Sequence, residues 1–239
     1  METQFHGKVV LVAGGTGGLG HAISLAFLAA SATVVVTYRN DDEYRSLQKA
    51  AGADASSLSG HQVDVTDNLA MRQLVQRILN ETGRLDVTVN AVGGYAGGTP
   101  LWQTDPQVFE QMLTLNLRAG FVLSREVVPR MLKQRSGSIV NVASRAAVDH
   151  ATGASAYAAS KAASVALFDS LAADLNGTGV RANSVLPSII DTAANRKAMP
   201  EADFTKWPKP EDITKVILFL CSEDAKLIHG ASIPVYGAD

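Results

Sequence analysis

Cysteine is almost absent from the chain. One residue, Cys221, stands among 239, which excludes an internal disulfide and leaves no cysteine-based metal site. It lies in VILFLCSED, an apolar helical pattern, and reads as buried filler rather than a nucleophile. Histidine offers no metal site either: His6, His21, His61, His150 and His229 show no ligand spacing, so no metal is expected. His150, between Ser144 and Tyr157, reads more readily as a polar loop residue than as pocket lining. An excess of positive charge is also missing. The formal net charge is −2, so no basic field draws in nucleic acid or an anionic membrane. No apolar run approaches the roughly 20 residues that a membrane helix needs. Segment 9–38 contains no Asp, Glu, Lys or Arg, and LAFLAASA resembles the end of a signal peptide. However, VVLVA is too short for a signal core, and GGTGGLG interrupts the run. A soluble cytoplasmic protein is expected.

What is present is ordinary globular composition, 46% apolar and 18% charged, long enough for one large α/β domain. Short β-branched runs alternate with helical patterns. KVVLVA, TVVVTY, SGHQVDV, LDVTVNAV, GSIVNVAS, VRANSVLP and ASIPVYG read as strands. Helical segments separate them, one of them opened by Asp67 as N-cap. Parallel strands need such crossovers, and right-handed crossovers give a doubly wound sheet. The expectation is a single-domain α/β Rossmann fold over residues 1–239. Its parallel sheet has about seven strands, with helices on both faces.

AGGTGGLG, residues 13–20, follows the first strand and opens a helix. Glycine there allows a tight turn and brings a diphosphate close to backbone N–H groups, with the helix N-terminus favouring its charge. The spacing Gly14, Gly18, Gly20 is Gly-x-x-x-Gly-x-Gly, which resembles the short-chain dehydrogenase/reductase family, although Ala13 replaces the usual Thr. Further segments carry the resemblance in the same order. VDV holds Asp64 and Val65, and VNAVGG matches at Asn90 and Gly93 but departs at Ala91 and Val92. LNL carries Asn116, and SIVNVAS ends on Ser144. YAASK supplies Tyr157 and Lys161. LPSIIDT holds Pro187, Ile190 and Thr192, with Ser188 where the family has Gly. The resemblance implies a dinucleotide held by these segments, with Gly14, Thr16, Gly18, Leu19 and Gly20 on its phosphate side and Ala91 beside Asn90 and Gly93.

Tyr157 and Lys161 are four apart on an expected helix, hence on one face. A tyrosine of pKa about 10 is a poor proton donor at neutral pH, and a neighbouring ammonium is expected to lower that value. Tyr157 then serves as general acid in reduction or base in oxidation. Ser144, at a strand end, can hydrogen-bond the substrate oxygen. The resemblance adds that Lys161 holds the nicotinamide ribose and that Asn116 positions a water for proton resupply.

After the second strand stand Tyr38 and Arg39, where an NAD-binding site would carry an acid. A guanidinium suits the extra phosphate of NADP, and Thr16 can add a hydroxyl, so NADPH is expected over NADH. Asp41 and Asp42 weaken that preference.

The stretch 191–210, DTAANRKAMPEADFTKWPKP, follows the sixth strand, where the family carries its substrate lid. It is short, which points to a compact substrate, with Met199, Phe204 and Trp207 as candidate contacts. It also resembles dihydropteridine reductases of the same superfamily, as does the GGYAGG loop at 93–98. Those enzymes generally lack the serine and carry an acid after strand two. A carbonyl/alcohol oxidoreductase therefore ranks first, a pterin reductase second, and a non-enzymatic NADP-binding regulator third. The family resemblance further implies a homodimer or homotetramer.

Overall fold

A computed structural model describes residues 4–238. Seven strands form one sheet: β1 (Val9–Ala13), β2 (Thr33–Tyr38), β3 (Leu58–Gln62), β4 (Val87–Asn90), β5 (Gly137–Val142), β6 (Val180–Pro187) and β7 (Ser232–Val235). Their order is β3-β2-β1-β4-β5-β6-β7, and every pairing is parallel. The chain winds outward from β1 in one direction, then returns to β4 and winds outward in the other. Two loops therefore part company at the C-terminal ends of β1 and β4, the switch point where such sheets open a crevice.

Strand periodicity divides the core between the two faces of the sheet. Val10, Val12, Val34 and Val36 pack with Ile23 and Phe27 of α1 (Gly18–Ala29), Leu47 of α2 (Asp41–Ala51) and Ile217 of α8 (Pro210–Cys221). Leu11, Val35 and Ile139 face the other way. They meet Leu74 of α3 (Asn68–Thr82), Leu123 of α5 (Ala119–Gln134) and Phe168 of α6 (Ser155–Asp174). Each fully buried side chain of this kind stabilises the fold by about 1.5–3 kcal/mol. Helix starts follow local chemistry. Asp67 caps α3 by accepting from Leu69 N and Ala70 N, and Asp105 caps α4 (Pro106–Leu113), which has proline in its first turn.

Three details depart from the sequence expectation. The third strand ends at Gln62 rather than running through Val65. The Asp64 carboxylate there accepts from the N–H and the hydroxyl of Thr66, both at 2.8 Å, and turns the chain. A single π-turn, Thr114–Arg118, links α4 to α5. The irregular stretch after β6 contains a short helix, α7 (Ala193–Ala198), before α8 (Pro210–Cys221). Cys221 is buried, and burial pushes its thiol up to about 12, consistent with inert filler. Among the described residues, no helix is long and apolar enough to cross a membrane.

Candidate active site

The parallel sheet carries the sequence-selected residues to one edge. Gly14 follows β1, Tyr38 ends β2, Asn90 ends β4, Ser144 follows β5 and Pro187 ends β6, all at the C-terminal ends of their strands. The glycine loop is braced from behind. Thr37 Oγ1 accepts from Gly14 N at 2.9 Å, and Ser24 Oγ donates to Gly15 O at 3.0 Å. In front, α1 begins at Gly18, behind Gly17 as an N-cap without a side chain, and has no acidic residue in its first turn. Its N–H groups therefore suit a diphosphate. Leu19 turns its side chain into the core, so its contribution to this rim is backbone only. Thr192 leans on the same loop: a Cβ at Gly18 would stand 2.8 Å from Thr192 Cγ2. The Thr192 hydroxyl caps α7 through Asn195 N at 3.2 Å.

Around β4 the picture is mixed. The Asn90 amide is buried and donates to Asn141 Oδ1 at 3.0 Å, and Asn141 in turn donates to Ser164 Oγ at 3.0 Å. The Asn90 side chain is thus a strut between strands and α6 rather than part of the rim. Ala91 N donates to Ala13 O at 3.0 Å. Val65 is buried, whereas Asp64 is exposed, and its hydrogen bonds to Thr66 lower its pKa ahead of Arg39 and Arg118. Pro187 is buried, and Ile190 packs against the core at the root of the 191–210 stretch.

Asn116 sits in the π-turn, whose extra residue re-aims the helix wall. Its Oδ1 accepts from Gly94 N at 3.0 Å, and its Nδ2 donates to Gly94 O at 3.0 Å and to Ser160 Oγ at 2.9 Å. Ser160 donates onward to Tyr157 O at 2.7 Å. The first turn of α6 is thereby tied to the π-turn and to the loop after β4.

Tyr157 and Lys161 share a face of α6, as their spacing predicts. Lys161 is only 5% exposed, and its ammonium donates to Val142 O at 3.0 Å. Burial lowers its pKa to about 8. A Cβ on Gly93 would stand 3.1 Å from this ammonium and 2.9 Å from Asn116 Oδ1. Glycine leaves a cradle there, and the ammonium, with one of its three protons bonded to Val142 O, suits ribose hydroxyls. Tyr157 departs from expectation. Its phenol is raised above the ordinary tyrosine value, chiefly by burial. A hydrogen bond with Ser144 works against that rise, and the phenol of Tyr95 adds to it. Desolvation outweighs the contribution of Ser144.

Sequence reasoning passed over two contacts. Tyr95, in the glycine-rich loop after β4, stands edge-on to the Tyr157 ring. Glu43 of α2 accepts from Thr16 Oγ1 at 2.9 Å. Neither pair has a local signal, since each spans distant segments. At the end of β2, Arg39 is exposed, and Tyr38 stacks on Tyr44 with ring centroids 4.7 Å apart. The stretch 191–210 closes on itself where Asp191 N donates to Pro208 O at 3.0 Å. Within it Trp207 is buried against Phe204, while Met199 remains exposed. His150 is exposed, with Nδ1 3.1 Å from Ala146 O, the polar loop role expected of it.

The short chain dehydrogenase family matches residues 8–203. The chain is 32% identical over 242 residues to a 3-oxoacyl-acyl-carrier-protein reductase of Thermotoga maritima, covering 98% of each chain. It is 34% identical over 252 residues to 2,3-dihydro-2,3-dihydroxybenzoate dehydrogenase of Escherichia coli K12, covering 98% of this chain and 97% of the relative. Among solved structures, ElxO with NADP bound superposes with a TM-score of 0.91 at 26% identity, covering 96% of this chain and 97% of that one. A short-chain type dehydrogenase/reductase from Mycobacterium ulcerans gives 0.92 at 25% identity, covering 98% and 90%. With the glycine loop, the π-turn and the Ser144–Tyr157–Lys161 cluster on one edge of a seven-stranded parallel sheet, the chain belongs to the short-chain dehydrogenase/reductase family of oxidoreductases.

Proposed function

We propose that the protein is an NADP(H)-dependent oxidoreductase that interconverts a small carbonyl compound and its alcohol, with Tyr157 as general acid and base. The observation that carries this reading is the gathering of the Ser144 hydroxyl, the half-buried Tyr157 phenol and the buried Lys161 ammonium at the strand ends. When bound, the nicotinamide supplies or accepts the hydride. Ser144 and Tyr157 hold the substrate oxygen between them, and Tyr157 gives it a proton as negative charge develops there. Lys161 binds the ribose, and Asn116, which borders the same cradle at Gly93, positions a water that links Lys161 to solvent for proton resupply.

The coenzyme reading is supported by Arg39 at the end of β2, by Thr16 in the glycine loop, and by the NADP bound to ElxO. The stretch 191–210 serves as the substrate lid. Its buried Trp207 anchors it, which leaves Met199 as the exposed apolar contact. Association into a homodimer or homotetramer is supported by the family and by exposed Phe121, which lines a surface hollow with Leu117 and Leu167. Light scattering showing only monomer would remove that part.

The direct test is NADPH oxidation against a panel of small carbonyl compounds that includes a quinonoid pterin. Turnover of an aldehyde or ketone supports the carbonyl reading. Turnover of the pterin alone would replace it, and absence of turnover with every compound would favour a non-enzymatic NADP-binding protein.

A further inference from the structure

We propose that Glu43 is a coenzyme-discriminating residue, which competes with the 2′-phosphate of NADP for the Thr16 hydroxyl and so narrows the preference for NADPH over NADH. The inference rests on the coenzyme reading above and concerns how strongly that site discriminates.

Helix α2 opens with three acids, Asp41, Asp42 and Glu43, behind Asn40 as N-cap. Acids are favoured in a first turn by the helix dipole, so their presence alone implies no ligand. Their partners separate them. Asp41 hydrogen-bonds the Tyr38 hydroxyl, and Asp42 takes Arg45 Nη1 at 2.8 Å, so both are spent within or beside their own helix. Glu43 stands at the third helical position, where a glutamate would ordinarily bond back to its own N-cap. It reaches instead across 27 residues to Thr16 Oγ1 at 2.9 Å.

Thr16 is 8% exposed and has one hydroxyl proton to give. While Glu43 holds that proton, the phosphate oxygen that the coenzyme reading assigns to Thr16 has no donor there. The carboxylate also adds like charge beside the phosphate, opposing Arg39 across the same rim. A ribose 2′-hydroxyl meets neither obstacle, because it can donate to the carboxylate. The acid missing from the end of β2 is thus supplied from the next helix.

The test measures dissociation constants of NADPH and NADH on the ligand-free protein by titration calorimetry, for the wild type, Glu43→Gln, Glu43→Lys and Arg39→Ala. Glu43→Gln is expected to tighten NADPH about tenfold, about 1.4 kcal/mol, with NADH changed less than about threefold. Glu43→Lys should tighten NADPH further, and both gains should shrink as salt rises. An unchanged NADPH-to-NADH ratio in both Glu43 variants, or weaker NADPH binding, overturns the proposal and leaves Glu43 as a first-turn helix acid. Arg39→Ala separates this outcome from failure of the coenzyme reading. Equal loss of both coenzymes in that variant, with the wild type preferring NADH, sinks the NADPH assignment, while the Glu43 ratio still decides the role of Glu43.

Discussion

The ring of Tyr95 stands edge-on to the ring of Tyr157, with centroids 5.0 Å apart and planes at 75°. Tyr95 is 67% exposed, so it forms the outer wall over the phenol rather than part of the core. Edge contacts of this kind contribute about 0.5–1.5 kcal/mol beyond area burial. Removing the ring lets water reach Tyr157 and removes a neighbour that raises its pKa. Tyr95→Ala is therefore expected to move the alkaline limb of the kcat/KM profile for reduction to lower pH, with folding intact. Tyr95→Phe keeps the ring and should shift it less. Matched profiles of the wild type and both variants check this.

The direction of turnover should depend on pH through Tyr157. Burial keeps the phenol protonated through the neutral range, so an acid is available for reduction and the phenolate needed for oxidation is scarce. The rate of carbonyl reduction is expected to stay level across neutral pH and to fall only on the alkaline side. Alcohol oxidation should rise over that same alkaline range. Steady-state rates in both directions, from pH 6 upward, make the comparison.

Lys161 gives a separate pH signature in stability. Its folded pKa is about 8 against an ordinary 10.5, because burial penalises the ammonium. Between those values the unfolded chain binds more protons than the folded one, so stability rises with pH over that window. The penalty is present in full below about 8 and is relieved as pH approaches 10.5. Lys161→Met should abolish this component. Urea midpoints of the two proteins are expected to converge as pH rises from 7.5 to 10.5.

Asn141 links Asn90 to Ser164 inside the second half of the sheet. Asn141→Ala leaves the Asn90 amide buried without its acceptor and Ser164 without its donor. Each such group costs about 1–3 kcal/mol. For a domain of this size that lowers the melting temperature by about 2–4 °C per kcal/mol, which calorimetry measures directly.

Much of this architecture was legible in the residues. TVVVTY and VRANSVLP match β2 and β6 residue for residue, because β-branched runs between turn signals have few other ways to pack. Tyr157 and Lys161 could be paired because four residues make one helical turn. SGHQVDV misled because its valines continue the strand pattern, while the turn is made by Asp64, a side-chain decision. The six residues of α7 carry no apolar stripe, so nothing marks them as a helix. The raised Tyr157 phenol was illegible for a different reason. Spacing places an ammonium on the same face, but only tertiary structure shows how far the phenol is buried. The Thr16–Glu43 and Tyr95–Tyr157 contacts belong to the same class, a loop side chain brought against a helix distant in sequence.

The central claim is that the Tyr157 hydroxyl carries the proton. Tyr157→Phe removes one oxygen and keeps the ring against Tyr95. Turnover of the best carbonyl substrate should be measured alongside the NADPH dissociation constant of the same preparation. The expected result is a loss of kcat of at least about a hundredfold, the usual scale of general acid catalysis, with the dissociation constant within about threefold of wild type. Turnover close to that of the wild type would contradict the claim and take Tyr157 out of the chemistry.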